Sequence, residues 1–264
     1  MTSYTELLSS LKRHPDHSVD AHIPETWMQG RTTYGGLTAA LSLQGAMELV
    51  DDIPIRSAQV AFVGPVGGDI KITPKLLRRG KNTAFVSVDI TAESGVTAQS
   101  IFAFGKARES ALHFDDMPMP EVRPPEDIEP FFDQRGPRPG FTQNFDMLIA
   151  LGDRPISGSD KKSIGLWMRH VDPKTLQDAT AILAIGDAPP PAVMSMFKEP
   201  SRISSMTWMA EFMTDDITTD PAGWFFAQHT AQLAKDGYSS QSMRLWNKQG
   251  EPILVGRQTI AVFG

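Results

Sequence analysis

An internal repeat constrains the fold of this 264-residue chain more than any other feature. The segments 99–105 (QSIFAFG) and 258–264 (QTIAVFG) are near-copies that lie 159 positions apart. A strand-like run that begins just after a glycine, Gly80 or Gly237, precedes each copy. Each unit is therefore predicted to be a hairpin followed by a closing strand. A duplicated unit with pseudo-two-fold symmetry tends to place its chemistry between the halves, as a homodimer would.

The composition narrows the classes of protein that the chain can belong to. It carries a net charge of −6 and has 41% apolar residues, which favours an acidic soluble protein over a nucleic-acid-binding one. It has no cysteine, so disulfides, thiolate metal sites and cysteine nucleophiles are excluded. No apolar run has the length of a membrane span, and the first residues lack the pattern of a secretory signal. We therefore expect a cytoplasmic protein.

The first half is predicted to wrap an antiparallel sheet round one helix. A short helix is expected at residues 4–11. Gly35 and Gly36 precede residues 37–50, whose apolar side chains at helical spacing cover more than one face, a pattern typical of a buried helix. The strands predicted to follow are 59–66, 69–77, 83–92 and 96–105.

The second half is predicted to repeat this scheme after a linker. Residues 106–160 are rich in proline and charge, which indicates extended and irregular structure. We therefore divide the chain into an N-terminal unit at 1–106, a linker at 107–160 and a C-terminal unit at 161–264. In the C-terminal unit a helix is expected at 174–186, and the strands expected after it are 203–213, 224–233, 239–247 and 253–263.

Two candidate sites lie at helix ends. Gly35 and Gly36 would leave bare backbone N–H groups at a helix start, which can hold an anion or a developing oxyanion. The alternative is a turn that needs only the flexibility of glycine. Asp187 closes an apolar helix, where the helix dipole disfavours a carboxylate, so its charge would need donors from elsewhere. The alternative is a solvated turn residue before a proline run.

Polar residues in the later strands are further candidates. Ser205 is predicted to begin a strand with Thr207 on the same face. Gln258 lies in the last strand, where a buried amide must find partners. The alternative for Ser205 is an ordinary polar residue of a strand, and the alternative for Gln258 is a structural hydrogen bond. Gln99 occupies the matching place in the first repeat, which favours the structural alternative.

Other common chemistries find no support in the sequence. His14 and His17 alone among the six histidines have a metal-ligand spacing, and they fall in a polar stretch that we expect to be solvated. There is no nucleophile elbow, no phosphate-binding P-loop and no complete dinucleotide fingerprint. We therefore expect no metal and no cofactor.

The residues at the start of the first helix carry a family resemblance. The sequence Gly35-Gly36-Leu37-x-Ala39-Ala40, together with the following meander through Arg79-Gly80, resembles the central helix and sheet of hotdog-fold thioesterases. Two such units in one chain with a linker between them resemble the acyl-CoA thioesterase II family. The resemblance implies an α+β double hotdog, in which two antiparallel sheets are each wrapped round a central helix. We expect the two sheets to be continuous or nearly so.

The resemblance also implies a set of catalytic residues and a reaction. The family uses an Asp, a Ser or Thr, and a Gln from the second hotdog around one water. The matching positions are Asp187, Ser205 and Gln258, with Ser204 and Thr207 as alternatives for the middle position. These residues would hydrolyse an acyl-CoA to a free fatty acid and coenzyme A, and Gly35 and Gly36 would hold the oxyanion. Their side chains are expected to converge on that water.

Two other functions stay open from the sequence alone. A hotdog hydratase acting on enoyl-CoA would carry an Asp and a His a few residues apart at the start of a central helix, and no such pair is found there. A non-catalytic acyl-CoA- or lipid-binding protein would keep the fold without the chemistry. The acyl chain length, and the choice between coenzyme A and an acyl-carrier protein, are also open. The resemblance also implies a homodimer or larger homo-oligomer, because hotdog sheets leave edges and outer faces that related proteins cover by association. A long strand such as that predicted at 224–233 would be a liability at an exposed edge.

Overall fold

In a computed structural model, which describes residues 2–131, 138–217 and 223–263, the strands of both halves join in one sheet. The α-helices of the described residues are α1 (Tyr4–Ser9), α2 (Gly35–Met47) and α3 (Ala179–Gly186). The strands are β1 (Lys12–Arg13), β2 (Val19–Ile23), β3 (Met28–Gln29), β4 (Thr32–Thr33), β5 (Ile55–Phe62), β6 (Gly68–Arg79), β7 (Thr83–Ala92), β8 (Gly95–Gly105), β9 (Phe145–Leu151), β10 (Ser163–His170), β11 (Arg202–Phe212), β12 (Phe225–Lys235), β13 (Tyr238–Asn247) and β14 (Pro252–Phe263).

The main sheet has twelve strands in the order β1-β2-β6-β7-β8-β5-β11-β14-β13-β12-β10-β9. The two halves meet at β5 and β11, which pair antiparallel with Gln59 opposite Met209. The predicted continuity of the two sheets is therefore observed, and the strands form one sheet rather than two that are each wrapped round their own helix. The edge strand of each half finds its backbone hydrogen-bond partners in the other half, so neither edge is left open at the seam.

The central helices lie on one side of this sheet and against each other. Helix α2 packs on β5, β6, β7 and β8 and crosses α3. It is buried on nearly all sides, as its apolar pattern predicts. Helix α3 begins at Ala179, five residues later than the predicted start, because the Asp178 side chain caps it by accepting from the backbone N–H groups of Thr180 and Ala181.

In the second part of the chain, two strands lie where the sequence had predicted none. Strand β9 falls inside the segment interpreted as a linker, and β10 follows it as its antiparallel partner. Because β10 pairs with β12, the strand predicted at 224–233 lies inside the sheet, and the exposed edge expected there is wrong. Residues 132–137 of the linker lie outside the described residues. The division of the chain at 106 and 160 stays a prediction.

The two glutamines that the sequence repeat aligns lie in different environments. Gln258 is buried, whereas Gln99 is exposed and donates to Asp89 Oδ1 at 2.9 Å. Successive side chains of a strand point to opposite faces of the sheet, so the match in sequence does not place the two glutamines in equivalent surroundings.

Within the described ranges, no helix is long and apolar enough to cross a membrane.

Candidate active site

Asp187 lies between the ends of the two central helices. It is the C-cap residue of α3, where that helix's dipole opposes its charge. The start of α2 faces it from the other half, since a Cβ atom at Gly35 would collide with Asp187 Oδ2. The N-terminal end of a helix favours an anion, so the dipole of α2 offsets the unfavourable effect of the α3 dipole on the charge of Asp187. The sequence had predicted that donors must come from elsewhere, but not that the first half supplies one.

Gln258 connects Asp187 to Ser205. The Gln258 Nε2 group donates to Asp187 Oδ1 at 2.7 Å and to Ser205 Oγ at 2.9 Å. Both bonds are side chain to side chain and join β14 with the end of α3 and the start of β11. The structure thus brings together the three residues that the family resemblance had singled out.

Gln258 Nε2 bonds to Ser205 rather than to either alternative, although Ser204 borders the same cavity as Asp187 and Ser205. Ser204 is exposed, and its hydroxyl donates to the carbonyl of Ser205 at 3.5 Å. The register of β11 shifts between Ser205 and Thr207, so Thr207 is exposed and the buried position passes to Trp208. The expectation that Ser205 and Thr207 share a face is therefore wrong, because this β-bulge inserts an extra residue between them.

The environment of Asp187 shifts its titration strongly. Burial raises the pKa of the Asp187 carboxyl to about 7, although the hydrogen bond from Gln258 and a backbone N–H contact from Gly36 both lower it. Desolvation disfavours the ionised form, while the two donors favour it. A carboxyl group with this pKa exists in both protonation states near neutral pH, which suits a general acid or base.

A cavity of about 570 Å³ opens beside Asp187. Its wall includes Asp187 and Ser205 from the second half and Gly35 and Phe62 from the first, so it lies between the halves. Gln258 is not part of this wall and sits behind the two residues to which it bonds. The sequence predicted that Gln258 would contact a water in the cavity. The position of Gln258 behind the wall does not support that contact. A pocket of this size is typical of small-molecule sites.

The two glycines at the start of α2 permit a close approach between the halves. A Cβ atom at Gly36 would lie 2.5 Å from the carbonyl oxygen of Ala184 and 2.7 Å from Tyr34 Cε2. The Tyr34 hydroxyl in turn donates to that same carbonyl at 3.1 Å. The backbones of α2 and α3 can approach this closely only without side chains at these positions.

Sequence reasoning missed two buried polar residues behind Gln258. Gln241 Nε2 donates to Gln258 Oε1 at 2.7 Å, and it lies 3.4 Å from Nδ1 of His229. Burial lowers the pKa of His229 to about 4, so the ring is neutral at pH 7. A signal was available: Gln241 alternates with Met243 and Leu245 on the inward face of β13. A polar residue on such a face requires partners.

The histidines at the N-terminal end take no part in this site. His14 is paired with Asp20, its Nε2 lying 2.8 Å from Oδ2, and both side chains are well exposed. Among the described residues, no group of three or more His, Asp or Glu side chains is placed to hold a metal ion.

Both halves of the chain match domains of one family. Residues 23–105 match the acyl-CoA thioesterase N-terminal domain, and residues 121–262 match the acyl-CoA thioesterase C-terminal domain. The chain belongs to the acyl-CoA thioesterase family. No curated protein matches the sequence with significant similarity. The family membership thus rests on the domain matches alone.

Solved structures share the fold of this thioesterase-family chain. A conserved protein of unknown function with a hotdog fold from Alicyclobacillus acidocaldarius is 21% identical, with a TM-score of 0.86 over 100% of this chain and 99% of that one. A putative thioesterase II from Thermobifida fusca is 18% identical, with a TM-score of 0.83 over 100% and 98%. The dehydratase domain of the polyketide protein PpsC from Mycobacterium tuberculosis is more distant, at 13% identity and a TM-score of 0.56 over 96% and 97%. The fold is therefore a hotdog fold, which serves more than one reaction.

Proposed function

We propose that this chain hydrolyses acyl-CoA thioesters, with Asp187 as the general base that activates a water. The observation that carries the proposal is a half-buried carboxyl with a pKa of about 7 on the wall of a cavity in an acyl-CoA thioesterase family member. Ionised Asp187 would accept the proton of a water that attacks the thioester carbonyl. General base catalysis of this kind contributes about 10²–10⁴-fold.

Ser205 and Gln258 would hold Asp187 and the water in place. Gln258 Nε2 donates to both Asp187 and Ser205, which fixes the carboxylate relative to the serine. Because Ser205 Oγ accepts from Gln258, its own hydroxyl proton is free to donate to the water or to the carboxylate. Ser205 and Asp187 both face the cavity, so a water between them would be within reach of each.

The start of α2 would stabilise the oxyanion that forms from the thioester carbonyl. Preorganised N–H groups aimed at a developing charge commonly supply the largest single catalytic contribution. Within the part of the chain that the structure describes, no side chain caps the N-terminus of α2. The Gly36 N–H is engaged with Asp187, so the Gly35 end of the helix is the better candidate for this role. Coenzyme A leaves as a thiolate, which requires neither a covalent nucleophile nor a metal.

The other functions considered from the sequence fit this site less well. A hydratase or dehydratase would need a histidine near the carboxylate, and none lies among the described residues of the cavity wall. His229 does not fit this role, because its ring is buried and its Nε2 lies 3.4 Å from the carbonyl oxygen of Gly186. A non-catalytic acyl-binding protein would gain nothing from an acid held at a pKa near 7.

The test is release of coenzyme A across a series of acyl-CoA substrates from acetyl to palmitoyl, with the matching acyl-carrier-protein esters as a second arm. We expect hydrolysis whose kcat/KM rises about tenfold per pH unit below pH 7 and levels off above it, since only ionised Asp187 can act as the base. Tight binding of these esters without any thiol release would favour the binding-protein function instead.

The assembly and location of the chain stay predictions. Acyl-CoA is the proposed partner, and a role in fatty acid metabolism in the cytoplasm would follow from that substrate. A homodimer or larger homo-oligomer stays a prediction that rests on the outer faces of the sheet. An exposed edge at 224–233 does not support it, since β12 lies between β10 and β13.

A further inference from the structure

Behind the candidate site, a chain of buried amides runs from the backbone of the segment after the proline run to Gln258. The backbone N–H of Ala192 donates to Gln241 Oε1 at 3.0 Å. Gln241 Nε2 donates to Gln258 Oε1 at 2.7 Å, and Gln258 Nε2 donates to Asp187 and Ser205. Gln241 and Gln258 are both almost completely buried.

The backbone N–H of Ala192 determines the orientation of both side-chain amides. A backbone N–H can only donate, so the side chain of Gln241 must turn its oxygen towards Ala192. Its nitrogen then faces Gln258, which must present its oxygen in return. The nitrogen of Gln258 is thereby directed at Asp187 and Ser205. Each side-chain amide satisfies all of its hydrogen-bond partners in only one of its two orientations.

His229 reinforces the same orientation. Its Nδ1 lies 3.4 Å from Gln241 Nε2, and its Nε2 lies 3.4 Å from the carbonyl oxygen of Gly186. A carbonyl can only accept, so Nε2 carries the proton of the neutral ring and Nδ1 is the acceptor. The second proton on Gln241 Nε2 thus has a partner, which would be lost if Gln241 were reversed.

We propose that Gln241 is a positioning residue, which holds the amide of Gln258 with its donor side towards Asp187 and Ser205. This proposal rests on the proposed function of the site. Gln241 does not line the cavity and touches no substrate there, so it acts through Gln258. With the amide of Gln258 reversed, its carbonyl oxygen would face the carboxylate of Asp187, and two acceptors would repel each other.

Two substitutions at Gln241 separate orientation from packing. Gln241→Met keeps the size of the side chain but removes both the donor and the acceptor. Gln241→Glu keeps the acceptor for Ala192, and it regains a donor for Gln258 only when its carboxyl is protonated. Gln44→Met is the control, because Gln44 also donates a side-chain hydrogen bond, to Thr180 Oγ1 at 3.3 Å in a partly buried place, and does not line the cavity.

We expect Gln241→Met to lower kcat for acyl-CoA hydrolysis about tenfold with KM within about twofold of wild type, since one orienting hydrogen bond is lost. Gln241→Glu should be more active than Gln241→Met at pH 6 and should lose that advantage as its carboxyl ionises. The titratable groups around it in the described residues, His229 and Asp187, are shared by both variants. Gln44→Met should keep the wild-type kcat.

Wild-type kcat in Gln241→Met would overturn the positioning role while leaving the proposed function intact. Equal activity of the Met and Glu variants at pH 6 would do the same, because it would mean that only packing matters. A wild-type chain that hydrolyses no acyl-CoA or acyl-carrier-protein ester in the same assay would overturn the proposed function and this inference with it.

Discussion

Replacing Asp187 by asparagine should lower acyl-CoA hydrolysis by about 10²-fold or more, because it removes the base and leaves the size of the side chain unchanged. The fold should survive, since an asparagine can still accept the hydrogen bond that Gln258 donates to Asp187 Oδ1. The measurement is kcat/KM at pH 8 for wild type and variant with the best substrate. Full activity in the variant would remove Asp187 from the mechanism.

The same variant should be more stable than wild type at pH 8. The folded-state pKa of Asp187 is raised from 3.8 to about 7, so the folded chain binds the proton more tightly than the unfolded chain does. The stability that Asp187 contributes therefore falls as the pH rises from about 4 to about 7. A neutral asparagine avoids this loss, which we expect to amount to about 1–3 kcal/mol at pH 8 and to vanish near pH 3.

Asp172→Asn is the matched control for this prediction. Burial alone would raise the pKa of Asp172, but hydrogen bonds that include the N–H groups of Thr5 and Lys174 lower it to about 2. A lowered pKa means stability that is present above pH 4 and lost as the pH falls through about 2. Asp172→Asn should therefore lower the melting temperature at pH 8 and leave hydrolysis unchanged. Melting curves that moved in the same direction for both variants would contradict the assigned environment of Asp187.

Replacing Gly35 by alanine should damage both the site and the fold. The added methyl would collide with Asp187 Oδ2 and lie 2.7 Å from Phe62 Cζ, so the carboxyl and the ring must move. Overpacking of this kind costs about 1–3 kcal/mol of stability. We also expect a loss of about tenfold or more in kcat, because a displacement of about 1 Å in a catalytic group can cost 10²-fold.

Gly64→Ala is the control for this second prediction. Gly64 also lines the cavity, but a Cβ atom there would meet only Thr97 Cα at 3.9 Å, an ordinary contact. The two variants are compared by thermal unfolding and by kcat with one substrate. Equal behaviour of the two alanine variants would mean that the close approach of α2 to Asp187 has no functional weight.

Strand periodicity and the glycines at the turns predicted most of the strands. The predicted strand at 83–92 coincides with β7 (Thr83–Ala92), and the hairpins around it have the expected order. Periodicity could not predict which strands join the two halves. The seam between β5 and β11 depends on which edges meet in three dimensions, and neither strand carries a local mark of it.

The sequence named the members of the candidate site and placed the start of α2 opposite them, and the catalytic roles of these residues stay predictions. Asp187, Ser205 and Gln258 came from a family resemblance, and the choice of Ser205 over Thr207 depends on a bulge that the sequence does not announce. The environment of Asp187 depends on the start of α2, which is some 150 positions away in the chain. Long-range contact of this kind sets the pKa, and no local pattern contains it.

Single-turnover hydrolysis in water enriched in oxygen-18, with the protein in excess over acyl-CoA, tests the central claim most directly. If ionised Asp187 activates a water that attacks the thioester, the released fatty acid carries one oxygen-18 atom in the first turnover, and the carboxyl of Asp187 stays unlabelled. If Asp187 attacked the thioester itself, hydrolysis of the resulting anhydride at the protein carbonyl would label Asp187 and release unlabelled acid. Unlabelled acid together with a labelled Asp187 would contradict the account.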